Sequence, residues 1–446
     1  MLAAIPKCSS ATRRIRYAEP GEFTKRAFFN DRLDLAQIES LSDTLAAETE
    51  QQRRAAVRGN SGALGRTYEA WREQLLYARG EIEALIDFSE DQHFDESQSD
   101  LLSNVTAQIE SMLQGIQMHE LGSQRSELLR SGIRIALLGP PNVGKSSLMN
   151  LVVGREASIV SGEAGTTRDI VEASLDVRGY LCSFADTAGF RSESPAGRED
   201  GPGAAGPIGA VEQEGIRRAR RRAQESDIVI VLASIEQGTG GGPFVYFDEE
   251  TLELAAEAEA CMVVVNKVES AGASHAALLG SFRDAVASRH PSLAQADLVS
   301  VSCKEARRDP ADAPSAATAT GRAAVAPAAA TSAAPRSDGG GNGNDPGGIQ
   351  AFTDSLVRAF TSMTAMPPDL QDLLGVTERQ RQLLARCRAH LEDFLLEAQP
   401  QPGERRDADT VLAAEHLRYA ADCLARITGR GESGDVEDVL GVVFEK

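Results

Sequence analysis

Residues 139–146 have the residue types and spacing of a nucleotide phosphate site. They read Gly-Pro-Pro-Asn-Val-Gly-Lys-Ser, a G-x-x-x-x-G-K-[ST] pattern between an apolar run at 133–138 and a helical pattern. Glycines let consecutive backbone N–H groups curl round a phosphate, and a helix N-terminus adds its dipole. Lys145 would reach the β- and γ-phosphates, and the Ser146 hydroxyl would bind Mg²⁺. This context predicts a phosphate loop and not an ordinary glycine turn.

Four further elements follow in the order of a guanine-nucleotide site. They are Gly-Thr-Thr-Arg-Asp at 165–169, Asp-Thr-Ala-Gly at 186–189, Asn-Lys-Val-Glu at 266–269 and Ser-Cys-Lys at 302–304. Alone, each short element is weak evidence. In this order and after apolar strands, they predict a GTPase.

The first two elements supply the metal side of that site. Thr167 would bind Mg²⁺ from a loop that senses the γ-phosphate, and Asp186 would hold Mg²⁺ through water. The Gly189 amide would lie near the γ-phosphate.

The last two elements supply the base side. Asn266 would bond the purine, Lys267 would lie along it, and residues 302–304 would support the base edge. Glu269 stands where guanine readers normally carry Asp. Its extra methylene should still allow a bidentate contact with guanine N1 and N2, but it puts guanine selectivity and affinity in question.

The position that orients the attacking water in Ras-type enzymes is Phe190, which cannot do so. Three sources of catalytic help stay open: an acid later in the loop, a monovalent cation in place of an arginine finger, or a partner protein.

The elements that must position these residues fall into three regions. Apolar residues at helical spacing run from Leu33 to Leu129, including the stripe Leu33, Ile38, Leu41 and Leu45. From about 132 to 364, strand-like runs at 133–138, 181–185, 228–232, 262–265 and 298–301 alternate with helical ones. Helical spacing then resumes. The predicted fold is an α/β P-loop domain, with a mostly parallel sheet and helices on both faces, inserted into an all-α helical bundle.

Composition limits the alternatives. The chain has 446 residues, 42% of them hydrophobic, which is enough for several cores. A net charge of −20 argues against tight, unaided nucleic-acid binding. Six cysteines without C-x-x-C spacing favour a reducing compartment. No apolar run reaches the ~20 residues of a membrane span. Segments 192–210 and 307–348, rich in Gly, Pro, Ala or Ser, are predicted to be disordered.

Several motifs closely resemble those of the MnmE family of tRNA-modifying GTPases, in its eukaryotic mitochondrial form. The most specific are Pro-Gly-Glu-Phe-Thr-Lys-Arg-Ala-Phe-Phe-Asn at 20–30 and Leu-Asp-Leu-Ala-Gln at 33–37. Residues 83–88, the element at 165–169 and Ile-Thr-Gly at 427–429 add to it. The resemblance covers nearly the whole chain outside the two predicted disordered segments.

The resemblance implies a domain division. Residues 1–32 correspond to a remnant of an N-terminal folate-binding domain, 33–130 and 365–446 to two halves of a helical domain, and 131–364 to the G domain. Arg32 matches a folate-contacting lysine. We expect the basic start of the chain to reflect truncation within the folate domain and not a transit peptide. The family's C-terminal Cys motif is missing, and Cys423 is a poor substitute, so modification activity is expected to be impaired.

The resemblance also assigns catalytic and cation-binding residues. The G domain would dimerise through its nucleotide faces when K⁺ is bound, with ligands Asn142, Ser161, Glu163 and Thr166. Glu212 matches the glutamate that arranges the attacking water, so the predicted catalytic residues are Glu212, Lys145 and Thr167. The expected GTP contacts are Asn142, Val143, Gly144, Lys145, Ser146, Ser147, Ser161, Thr166, Thr167, Asp186, Thr187, Ala188, Gly189, Asn266, Lys267, Glu269, Ser302, Cys303 and Lys304.

The family's reaction sets the expected partners. An FAD-containing MnmG-like protein acts with it to add a carboxymethylaminomethyl or taurinomethyl group to the wobble uridine of tRNA. A tetrahydrofolate derivative supplies the one-carbon unit. This implies GTP, Mg²⁺, K⁺ and folate as ligands and the mitochondrial matrix as location, or the cytoplasm for a bacterial member.

The sequence disfavours two other classes of protein. An Era- or Der-type ribosome-assembly GTPase would carry a KH-like RNA domain, yet no G-x-x-G clamp appears outside the G domain. A metabolic P-loop ATPase is disfavoured by the element at 266–269.

Overall fold

The computed structural model describes residues 16–87, 98–161, 174–185, 217, 220–238, 242–307, 345, 347–398 and 409–430. The chain forms two compact units. One comprises Met1–Gly132 and Met363–Lys446, and the other comprises Ile133–Ser362. The prediction of one domain inserted into another is therefore confirmed. The predicted disordered segment 192–210 and nearly all of 307–348 lie outside the described residues.

Helices and strands alternate in the second unit, and helices make up the first. The helices are α1 (Glu22–Phe29), α2 (Leu35–Ala46), α3 (Glu50–Gly59), α4 (Ala63–Asp87), α5 (Gln98–Ser131), α6 (Lys145–Arg155), α7 (Glu249–Ala256), α8 (His275–Arg289), α9 (Cys303–Ala306), α10 (Ile349–Thr364), α11 (Glu378–Ala398) and α12 (Thr410–Thr428). The strands are β1 (Ile133–Leu138), β2 (Ala157–Ser161), β3 (Ser174–Val177), β4 (Tyr180–Ala185), β5 (Ile228–Gln237), β6 (Pro243–Tyr246), β7 (Cys261–Asn266) and β8 (Asp297–Ser300).

The helical unit is held by a core between its long helices, where α12 packs against both α4 and α11. Local hydrogen bonds fix the N-terminus of α2. Asp34 accepts a hydrogen bond from the Gln37 amide at 2.7 Å, and the Gln37 side chain accepts one from the Asp34 amide at 3.0 Å. This capping box satisfies two backbone donors and begins α2. The stripe predicted on α2 is wrong at its end, because Leu45 is 81% exposed.

The second unit is built on one eight-stranded sheet of order β2-β3-β4-β1-β5-β7-β8, with β6 paired to β5. Strands β4, β1, β5, β7 and β8 run parallel, while β2, β3 and β6 pair antiparallel with their neighbours. The predicted mostly parallel sheet is therefore confirmed, with three antiparallel strands that the sequence pattern did not predict.

Both faces of this sheet are covered. The first eight residues of β5 are all buried, as expected for a strand with helices on either side. On one face, Leu252 of α7 and Phe282 of α8 join the β1, β5 and β7 side chains in a single core. Elsewhere Tyr180 of β4 packs against Phe360 of α10, with ring centroids 5.5 Å apart. Parallel strands so arranged bring their carboxyl ends to one edge, where α/β proteins bind ligands.

Within the described part of the chain, none of the helices combines the length and the apolar character that crossing a membrane requires.

Candidate functional site

The predicted phosphate loop lies between the end of β1 and the start of α6. Gly139 has φ +141° and Gly144 has φ +102°. A Cβ at Gly139 would lie 2.3 Å from the Leu232 carbonyl oxygen, and one at Gly144 would lie 2.2 Å from Asn266 Nδ2. Asn142 also has positive φ, +63°, a conformation that Asn tolerates better than most residues. The sequence thus has glycine where backbone and neighbours leave no room for a side chain.

The lysine of this loop is held against the loop itself. Lys145 Nζ donates to the carbonyl oxygens of Gly139 at 2.6 Å and Pro140 at 2.9 Å. Asn142 and Ser146 are exposed around it. Because α6 begins at Lys145, the phosphate loop and the Lys145 ammonium both lie at the N-terminus of this helix. The dipole and the free N–H groups of a helix N-terminus favour the binding of anions.

Asn266 joins the phosphate loop to residues 302–304, the predicted loop at the base edge (the base loop). This residue ends β7, and its side chain is 2% exposed. Its Nδ2 donates to the Val143 carbonyl oxygen at 2.7 Å, and its Oδ1 accepts from the Cys303 amide at 3.2 Å. The residue expected to bond the purine is therefore also a buried structural link between two loops.

The base loop at 302–304 is fixed from several sides. The Ser302 amide donates to the Gly347 carbonyl oxygen at 2.9 Å, and Ser302 Oγ accepts from the Glu305 amide at 3.1 Å, capping α9. Burial raises the pKa of the Cys303 thiol to about 11, so this thiol stays protonated at neutral pH. Lys304 is exposed.

A second contact ties the end of the base loop to the first turn of α6. Arg307 donates to Ser147 Oγ at 3.2 Å. Arg155, at the end of the same helix, donates to the Ala306 carbonyl oxygen. The expected phosphate and base residues of the described chain therefore belong to one connected region.

Lys267 has a partner that the sequence analysis missed. It adopts φ +60°, and its Nζ lies 2.5 Å from Glu236 Oε1 at the end of β5. The hydrogen bond from Lys267 lowers the pKa of Glu236. Ser234 also donates to Glu236, at 2.9 Å. No motif spacing marks Glu236, because 31 residues separate it from Lys267 and only the β5–β7 pairing brings them together.

Glu269 has the free acceptor that a guanine reader needs. It lies in a 3₁₀ turn, Val268–Ser270, directly after Lys267. Its Oε2 is buried and has no hydrogen-bond partner among the described residues. A buried carboxylate oxygen without a donor is costly, so it points to a ligand donor such as guanine N1–H or the N2 amino group. The longer acid at this position is consistent with a base contact.

Several predicted site residues lie outside the described part of the chain. They are Glu163, Thr166, Thr167, Asp186, Thr187, Ala188, Gly189 and Glu212. Of Ser161, only the backbone at the end of β2 is described. The catalytic, Mg²⁺ and K⁺ roles of these residues stay predictions. Arg32 lies in the helical unit with its side chain exposed.

The described residues fit a nucleotide in two ways. The glycine-lined loop, with Lys145 and the exposed Ser146 at a helix N-terminus, fits a polyphosphate with a bound Mg²⁺. The unpartnered Glu269 oxygen and Lys267 fit a purine that carries hydrogen-bond donors. Asn266 holds these two half-sites together.

Comparison with known proteins gives the family. A family model for the MnmE helical domain matches residues 35–446. The tRNA modification GTPase MnmE of Parvibaculum lavamentivorans is 34% identical over 449 residues, covering 100% of this chain and 78% of that protein. The mitochondrial 5-taurinomethyluridine-[tRNA] synthase subunit GTPB3 of Danio rerio is 33% identical over 430 residues, covering 96% and 72%.

Among solved structures, Era from Aquifex aeolicus bound to GDP·AlF₄⁻ superposes on 38% of this chain and 51% of its own. The identity is 25% and the TM-score 0.24. A superposition of this quality carries no argument about function. The family match and the relatives do: the chain belongs to the MnmE family of tRNA modification GTPases.

Proposed function

We propose that this chain binds and hydrolyses GTP to drive modification of the wobble uridine of tRNA. The observation that carries the proposal is the link through Asn266, which holds a phosphate loop and a base loop in one site. The buried Glu269 oxygen supports guanine as the base. An Era- or Der-type ribosome-assembly role is disfavoured, because the chain belongs to the MnmE family.

Within this proposal each described residue has a task. The loop amides and Lys145 hold the β- and γ-phosphates, with Lys145 exchanging its loop carbonyl partners for phosphate oxygens. Lys267, kept in place by Glu236, lies along the base. Glu269 accepts hydrogen bonds from guanine. The position of its two carboxylate oxygens, which depends on the length of the side chain, sets how strictly other bases are excluded.

The proposed cations and the proposed catalytic residue Glu212 complete the site. When bound, Mg²⁺ and K⁺ neutralise charge that develops on the phosphates. Ser146, Thr167 and Asp186 (through water) are the proposed Mg²⁺ ligands. Asn142, Ser161, Glu163 and Thr166 are the proposed K⁺ ligands. Glu212 orients the attacking water, a task that Phe190 cannot perform.

The wider reaction is proposed from the family. The Danio rerio relative is named a mitochondrial 5-taurinomethyluridine-[tRNA] synthase subunit, which supports a tRNA substrate and a mitochondrial location. We infer that the chain acts with an FAD-containing MnmG-like partner on uridine C5, giving a carboxymethylaminomethyl or taurinomethyl product. A tetrahydrofolate derivative, with Arg32 as one contact, and a homodimer through the G domains belong to the same proposal.

Steady-state GTP hydrolysis in KCl and in NaCl tests the proposal. We expect turnover that falls strongly when Na⁺ replaces K⁺, and none above background for Lys145→Ala. Lys25→Ala is the matched control, because this exposed lysine lies on α1, in the helical unit, and has no assigned contact with the nucleotide. Equal rates in the two salts would remove the K⁺ assignment. Full turnover by Lys145→Ala would place hydrolysis outside this loop.

A further inference from the structure

Three side chains on two packed helices of the helical unit form a cluster with metal-binding chemistry. His390 and Asp393 lie on α11 and His416 lies on α12. One ligand atom from each of the three lies within 4.8 Å of the other two. The spacing of His390 and Asp393, three residues apart, places them on the same helix face. Nothing in GTP binding or hydrolysis uses these residues.

The two histidines have unused ligand atoms. Nδ1 of His390 and Nδ1 of His416 are both buried, and neither has a hydrogen-bond partner among the described residues. Buried polar atoms are nearly always bonded, so two unpartnered ones on packed helices need an explanation. The Asp393 carboxylate, 3.9 Å from His416 Nδ1, is too distant for a hydrogen bond.

The charge state of the cluster suits a cation. Asp393 supplies one negative charge, and its side chain is 53% exposed, which gives an ion a path from solvent. Tyr419 closes one side, with its ring centroid 5.3 Å from that of His390.

The geometry needs only a small adjustment. A divalent ion holds imidazole nitrogen and carboxylate oxygen at about 2.0–2.2 Å, so two of its tetrahedral ligand atoms lie ~3.4 Å apart. Because the three ligand atoms lie within 4.8 Å of one another, they must approach by up to about 1.4 Å, through rotation of the histidine side chains as well as that of Asp393.

We propose that His390, Asp393 and His416 bind a divalent transition-metal ion, with Zn²⁺ the best fit to two imidazoles and one carboxylate. Water completes the coordination on the exposed side. The ion links α11 to α12, so it stabilises the helical unit by binding the folded state alone.

Titration of the full-length, tag-free protein with Zn²⁺ by calorimetry tests this proposal. GDP and excess Mg²⁺ are kept present, so that cation sites of the G domain are filled. We expect one Zn²⁺ per chain in the wild type, with affinity lowered roughly tenfold or more by His390→Ala and by His416→Ala. We also expect Zn²⁺ to raise the unfolding temperature of the wild type but not of these variants.

The chain offers a matched control for a buried imidazole. His275 Nε2 is likewise buried and without a partner, but it belongs to no metal-binding cluster in the described residues. His275→Asn should therefore bind Zn²⁺ as the wild type does. If a histidine variant loses its helical circular-dichroism signal, Asp393→Asn replaces an exposed group and should still weaken binding.

Three results would overturn the proposal: no Zn²⁺ binding by the wild type, equal binding by the folded His390, His416 and Asp393 variants, or an equal loss in His275→Asn. Each readout is independent of GTP hydrolysis, so failure here leaves the proposed function untouched.

Discussion

Replacing Asn266 by Ala should separate the phosphate loop from the base loop. The substitution removes a bond to the Val143 carbonyl oxygen and a bond from the Cys303 amide. Val143 is 0% exposed and Cys303 7%, so water cannot readily replace either bond. Each buried group left without a partner costs about 1–3 kcal/mol, and the pair therefore about 2–6 kcal/mol.

Hydrogen exchange in nucleotide-free protein measures this cost where it arises. The Cys303 amide loses its acceptor, and about 1–3 kcal/mol corresponds to exchange about 5- to 150-fold faster. The neighbouring Ser302 amide, bonded to the Gly347 carbonyl oxygen, provides an internal reference that should change less. Working without nucleotide separates the structural link from any contact between Asn266 and the base.

Lys267→Ala is the matched control. This residue adjoins Asn266, but its ion pair with Glu236 is partly exposed on both sides, and such pairs contribute about 0–1 kcal/mol. Its Cys303 amide should exchange as in the wild type, while GDP affinity falls. Unchanged Cys303 protection in Asn266→Ala would refute the argument that this side chain holds the two loops together.

Three further predictions test other parts of the account. Glu269→Ala should weaken GDP binding about 10- to 100-fold through the loss of charged hydrogen bonds, measured by calorimetry, and unchanged affinity would rule out the base contact. Glu212→Ala should bind GTP but not hydrolyse it, and retained turnover would move the water-orienting role elsewhere. Burial lowers the pKa of His119 to about 4 from 6.5, so the unfolded state binds the extra proton as pH falls below 6.5. The free energy of unfolding of the helical unit should therefore fall by about 2 kcal/mol between pH 7 and pH 5. Trp71, with its ring centroid 4.9 Å from that of His119, reports this unfolding by fluorescence, and the loss should disappear in His119→Gln.

Much of the G-domain site was predictable because its signals are local. The phosphate loop needs glycine at fixed spacing between a strand and a helix, and both neighbours, β1 and α6, lie where the sequence places them. The parallel strands read as continuous apolar runs because both faces are buried. Strands β2, β3 and β6 were not predicted. Each is only four or five residues long and pairs antiparallel with a neighbour, and so short a sequence shows little hydrophobic periodicity.

Contacts between distant segments could not be predicted. The sequence motif names Asn266 as a base contact, but its bonds to Val143 and Cys303 depend on how β7 meets two loops. Glu236 belongs to no motif at all. Helical spacing predicts which face of α2 is apolar but not where the core ends, and Leu45 therefore proved exposed.

We propose above all that this site selects a guanine nucleotide. Calorimetric titration of the full chain with GDP and, separately, with ADP in the presence of Mg²⁺ tests it most directly. We predict saturable GDP binding that is lost in Lys145→Ala, and no measurable ADP binding. ADP binding as tight as GDP binding would contradict the claim.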